Sequence, residues 1–148
     1  MDEDLILELL SANKKIEDDF LLEILNEKDY RQIIINQYEY FSSNDKIKLS
    51  NYIDVNYNSK VSSNFKSELL DLSCKIGYLS KLVCDSVFIE LKERRNYFFK
   101  LSALDYLNEF YFEIEDKRVF FELNHFLFRN SYNKLIIFEA AINLLIID

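Results

Sequence analysis

Proline and tryptophan are absent from this 148-residue sequence, glycine and histidine occur once each, and cysteine occurs twice. At ordinary usage such a length carries about ten glycines and seven prolines. The residues that build tight turns, strained loops and phosphate cradles are therefore missing, because only glycine adopts those backbone conformations cheaply. Enzymes that depend on a glycine-rich loop or a serine elbow are excluded, and helix is favoured throughout. With one histidine, His125, the sequence also lacks the ligands of the usual metal centres. Glu122 and His125 form Glu-x-x-His, but a di-iron bundle needs two such motifs and further acids. A histidine packed among Phe121, Phe126 and Phe128 is expected instead, with no metal and no cofactor.

Cys74 and Cys84 are too few for a disulfide scaffold and lack the Cys-x-x-Cys spacing of a redox or zinc site. Reduced, buried thiols on apolar helix faces are expected. Paired acids such as Glu113 and Glu115 are common, but nothing in the sequence places two of them around a cleft. No catalytic residue is assigned, and the chain is expected not to be an enzyme. The opening MDEDLILELL carries acids where an export signal carries positive charge. The most apolar run, Leu135 to Ile147, is too short for a bilayer, which takes about 20 residues. A cytoplasmic protein without membrane contact is expected.

What the sequence has is apolar bulk and a lopsided charge. Residues of apolar type make up 49%, with 13 Phe and 10 Tyr, enough for one domain spanning 1–148 to bury a sizeable core. The net charge is −8, from 18 Lys and Arg against 26 Asp and Glu. Residues 1–29 hold ten acids and three bases, leaving the other 119 residues at a net of −1. Nucleic-acid binding is opposed by this balance, since phosphate contacts need clustered bases. Lys92, Arg94, Arg95 and Lys100 are few and interrupted by Glu93.

Apolar spacing predicts eight or nine short helices packed as antiparallel pairs, in an all-α fold. Acids open helices at 2–10 and 17–25, complementing the helix dipole. Asp29 and Gln32 resemble a capping box before Tyr30, Ile34, Tyr38 and Phe41, and Asn44-Asp45 is the candidate cap of the next helix. The alternation from Ile53 to Tyr57 leaves helix and strand open. Phe65, Leu69, Leu72 and Ile76 mark a helix from Ser63 that ends at Gly77, the residue for a left-handed cap. Leu79, Val83, Val87 and Leu91 mark the next. Asn96 is placed to cap Tyr97 to Phe110, and Asp116 to cap residues 117–129. A final helix starts near Lys134. Residues 110–123 also fit a hairpin, so helix and strand stay open there too.

Phe98, Phe99, Leu101, Ala103, Leu107 and Phe110 reappear 37 residues later as Leu135, Ile136, Phe138, Ala140, Leu144 and Ile147. A period in that range marks stacked repeats. KLSALDYL (Lys100 to Leu107) and IFEAAINL (Ile137 to Leu144) resemble the inner helix of HEAT-type α-solenoid repeats, although the helix-starting proline and the Asp/Arg ladder of that family are missing. The resemblance implies a solenoid, and a plain helical bundle is the alternative architecture.

A small, acidic, helical chain without a catalytic constellation also resembles, as a class, the immunity proteins that bacteria pair with secreted toxins. That resemblance implies a cytosolic inhibitor that binds a basic toxin domain. Asp18, Asp19, Glu23 and Glu27 in the acidic segment are the candidate contacts, with Tyr40 as an aromatic anchor. The alternative is a helical-repeat adaptor or scaffold that inhibits nothing.

Overall fold

A computed structural model describes residues 20–37, 39, 41–58, 60–93, 96–110, 113 and 114. Among these residues every regular element is an α-helix, six in all. They are α1 (Phe20–Leu25), α2 (Lys28–Gln37), α3 (Ser43–Asn56), α4 (Ser63–Ile76), α5 (Lys81–Glu93) and α6 (Tyr97–Glu109). The all-α class read from the sequence therefore holds. The helices expected over 2–10, 117–129 and from 134 onward lie outside the described residues, as does the second copy of the echo. So does most of 110–123; the backbone leaves α6 through Phe110, whose carbonyl accepts from Ile114 N at 2.8 Å.

The chain divides into two compact units, Met1–Asn56 and Tyr57–Asp148. In the first, α1 has six residues, too few to persist without tertiary support. It buries Leu21, Ile24 and Leu25. Its terminal carbonyl, Leu25 O, accepts from Arg31 Nη1 at 3.0 Å and from Tyr52 Oη at 3.2 Å. One orphan acceptor thus ties α1 to both α2 and α3. Helix α2 begins at Lys28, so Asp29 lies in the first turn, where it complements the dipole, and not ahead of the helix as a capping box requires. It buries Ile33, Ile34 and Ile35 and ends at Gln37, before Tyr38.

The cap of α3 is Ser42, not Asn44-Asp45. Asp45 N donates to Ser42 Oγ at 3.1 Å while Ser42 N donates to Asp45 Oδ2 at 2.9 Å. Asp45 is thus the reciprocal partner three residues on. The open question at Ile53 to Tyr57 resolves as helix through Asn56. Leu49 and Ile53, four apart, are both fully buried, so the helical repeat outweighs the local polar alternation.

In the second unit the predicted caps Gly77 and Asn96 form, and Ser62 and Ser80 add two that were not foreseen. Ser62 Oγ accepts from Phe65 N at 3.1 Å to open α4. Gly77 closes it with φ 70° and ψ 34°, and Tyr78 N donates back to Ser73 O at 3.0 Å. Asn96 Oδ1 accepts from Phe99 N at 3.0 Å to open α6. Ser80 opens α5, its Oγ accepting from Val83 N at 3.4 Å.

The closest packing joins α4 to α6 rather than to its neighbour in sequence. Asn96 Nδ2 donates to Asn64 Oδ1 (3.4 Å), and Ser67 Oγ lies 3.2 Å from Phe98 O and 2.5 Å from Ser102 Oγ. Both numbers rise together along these pairs, so α4 and α6 run parallel. Small residues at the seam, Ser67, Ser102 and Ala103, let the two backbones approach. Helix α5 runs the other way, with Glu90 near its end meeting Lys66 on α4, and Ser80 O before its start receiving Tyr106 Oη from α6 (3.5 Å). Leu69, Leu70 and Leu72 of α4, Val87 of α5, and Phe99 and Leu104 of α6 are buried.

Candidate functional site

The two candidate residues of the acidic segment that are described, Glu23 in α1 and Glu27 in the turn before α2, are both exposed. Asp18, Asp19 and Tyr40 lie outside the described residues. Tyr30 is half-buried on α2, in keeping with a core-facing aromatic. Of the small basic set, Lys92 is exposed and Lys100 half-buried, while Arg94 and Arg95 lie outside the described residues, as do His125 and Glu122.

In the second unit the polar chemistry is inside. Lys66 and Glu90 are both buried, and Lys66 Nζ donates to Glu90 Oε2 at 2.6 Å. The same ammonium stands 5.0 Å from the centre of the Tyr57 ring, within the range of a cation–π attraction. The pair was missed by sequence reading, though a signal exists. Lys66 lies three and four residues before the buried Leu69 and Leu70, and Glu90 three after Val87. Opposite charges on the apolar stripes of consecutive helices are the mark of a buried pair.

Beside this pair opens a pocket of about 240 Å³, lined by Tyr57, Asn58, Lys66, Ser86, Ile89, Glu90 and Glu93. Its floor is charged and buried, and its rim carries the exposed Ile89 and Glu93. Ligand pockets usually enclose about 300–1,000 Å³, and this one lies just below that range.

A second polar cluster lies along α4 and α6. Burial raises the Asp71 carboxyl to a pKa of about 6, with a hydrogen bond from Ser102 opposing the shift and the charge of Glu68 adding to it. Cys74 is half-buried and Cys84 buried. Burial pushes the Cys74 thiol well above its ordinary range, and Glu109, Asp71 and Asp105 add to the rise. A raised thiol pKa disfavours the nucleophilic thiolate; of the two thiols expected to be buried, Cys84 is buried and Cys74 only half-buried. Burial likewise raises the Tyr106 phenol. Among the described residues no group of three or more His, Cys, Asp or Glu is placed to hold a metal ion, and no helix is long and apolar enough to cross a membrane.

No protein-family model, curated protein or solved structure matches this chain.

Proposed function

We propose that the chain is a non-catalytic inhibitor that works by binding another protein, of the kind bacteria use as toxin-immunity proteins, with a basic toxin domain as its cytoplasmic partner. The observation that carries the reading is the segregation of charge. Residues 1–29 hold a net of −7, and Glu23 and Glu27, the two candidate contacts described, expose their carboxylates to solvent. A concentrated negative surface attracts a basic partner from a distance and rejects acidic ones. Asp18, Asp19, Glu23 and Glu27 are its electrostatic contacts in this reading, and Tyr40 its aromatic anchor. No cofactor, nucleic acid or membrane takes part.

The test is co-purification from the native cell, followed by co-expression. A basic partner that arrests growth alone, and is neutralised by this chain, supports the reading. A partner that is acidic, or harmless when expressed alone, removes it.

A second reading, a repeat scaffold that joins two proteins, is favoured by one specific feature. Helices α4 and α6 stack in parallel at separations of 31 to 35 residues, with α5 reversed between them in sequence. That is the arrangement a solenoid repeats, and it supports the finer architecture of eight or nine helices in HEAT-like pairs. The two readings part on stoichiometry, because an inhibitor takes one partner whereas a scaffold takes two at once.

A further inference from the structure

The pocket over the Lys66–Glu90 pair has a size, a charge and a rim that together select one kind of occupant. Its volume is about 240 Å³, just below the usual range of small-molecule pockets. One long side chain fits. The buried ammonium and carboxylate of the floor neutralise each other at 2.6 Å, so among the described lining residues the remaining charge is the negative one of Glu93. Ser86 adds a hydroxyl oxygen as an acceptor, and Ile89, 57% exposed, supplies an apolar wall. Leu82, two turns earlier on the same face of α5, is 77% exposed and extends that wall. A carboxylate beside an apolar wall suits a long cationic side chain, whose methylene stem lies on the apolar surface while its head meets the charge.

We propose that this pocket is the socket for one cationic side chain of the protein partner, with arginine the best match. A guanidinium offers a planar fork that a carboxylate accepts through two parallel hydrogen bonds. Its stem rests on Ile89, its head faces Glu93, and Ser86 accepts one of its remaining donors. The inference rests on the reading of the chain as a binder of a basic protein, and it adds a second contact region to the acidic segment.

The experiment is a titration of the full chain with N-acetylargininamide, followed by NMR of isoleucine methyls and backbone amides. N-acetylcitrullinamide, which has nearly the same shape and no charge, is the control. The expected result is a saturable shift of the Ile89 methyl and of the Ser86 and Glu93 amides with the arginine probe and none with the citrulline probe. Glu93→Gln should weaken it about fivefold, the scale of one exposed charge-assisted contact. Glu93 is exposed at the end of α5, so that variant keeps its fold. No saturable shift at Ile89, equal binding of the two probes, or full affinity in Glu93→Gln overturns the proposal. None of these results depends on a captured partner, so the socket fails separately from the inhibitor reading, which fails if the co-purified partner is acidic or harmless.

Discussion

Among the described residues, buried charge is found in the second unit and not in the first. In the first, α3 buries only Leu49 and Ile53 of its 14 residues, and the acids Glu23, Glu27, Asp29 and Asp54 are exposed. In the second, α4 has the same length but buries eight residues, among them Lys66, Ser67, Glu68 and Ser73. Charges in water cost little and act at a distance. Charges inside are costly and must be matched by a partner at contact range. Exposed acids of the first unit can act on another molecule at a distance, whereas the buried polar groups of the second act on how its own helices fit.

The largest expected effect breaks that contrast from within. Lys66→Met leaves Glu90 buried without its ammonium and should destabilise the second unit by about 3–5 kcal/mol. Adding Glu90→Met to the same protein should recover most of the loss, since an apolar pair of similar volume has no desolvation penalty. Urea unfolding of both variants measures this. A double variant as unstable as the single one would mean that the pair contributes more than mutual neutralisation.

Asp71 gives the next effect, through pH. Its folded carboxyl titrates at about 6 against an ordinary 3.8, so the folded state holds a proton that the unfolded chain has released. Stability should fall as pH rises through that window and level off above it. At about 1.4 kcal/mol per unit the loss is at most about 3 kcal/mol, less any screening by water at this half-buried site. Asp71→Asn should remove this contribution and be the more stable protein at pH 7. Thermal melts of the two chains across pH 4 to 7 decide it, and parallel profiles would sink the assignment.

Gly77 comes third. At φ +70°, with nothing within 4 Å of an added Cβ, Gly77→Ala should cost about 1–2 kcal/mol from backbone conformation alone. Gly77→Asn should cost less, because asparagine tolerates the left-handed region better. The smallest effect belongs to the first unit. Glu23→Gln with Glu27→Gln should change stability by no more than about 0.5 kcal/mol, since both side chains are exposed, and a larger loss in a urea melt would show that these acids serve the fold.

Where one local rule decides a structure, the sequence was readable. Gly77 ends α4, Asn96 opens α6, and Val83, Val87 and Leu91 line the buried face of α5. Where two rules compete, reading failed or stayed open. Ser42 and Asp45 form a reciprocal cap where Asn44-Asp45 was the expected cap, and serine, asparagine and aspartate all cap helices by residue type. Residues 53–56 alternate like a strand, yet they continue the four-residue spacing of Leu49 and Ile53. The Lys66–Glu90 pair and the pocket above it were not foreseen, because long-range pairing depends on how α4 and α5 meet. Only the presence of each charge on an apolar stripe was visible in advance.

The most direct measurement of the proposed function is the salt dependence of affinity between the full chain and any protein that co-purifies with it, compared with Glu23→Lys/Glu27→Lys. If exposed acidity in the first unit draws the partner in, raising salt from 50 to 500 mM should weaken the wild-type complex about tenfold or more, as screening shortens the reach of those charges. The variant should start weaker and respond less. Equal affinities with the same salt slope would contradict the account.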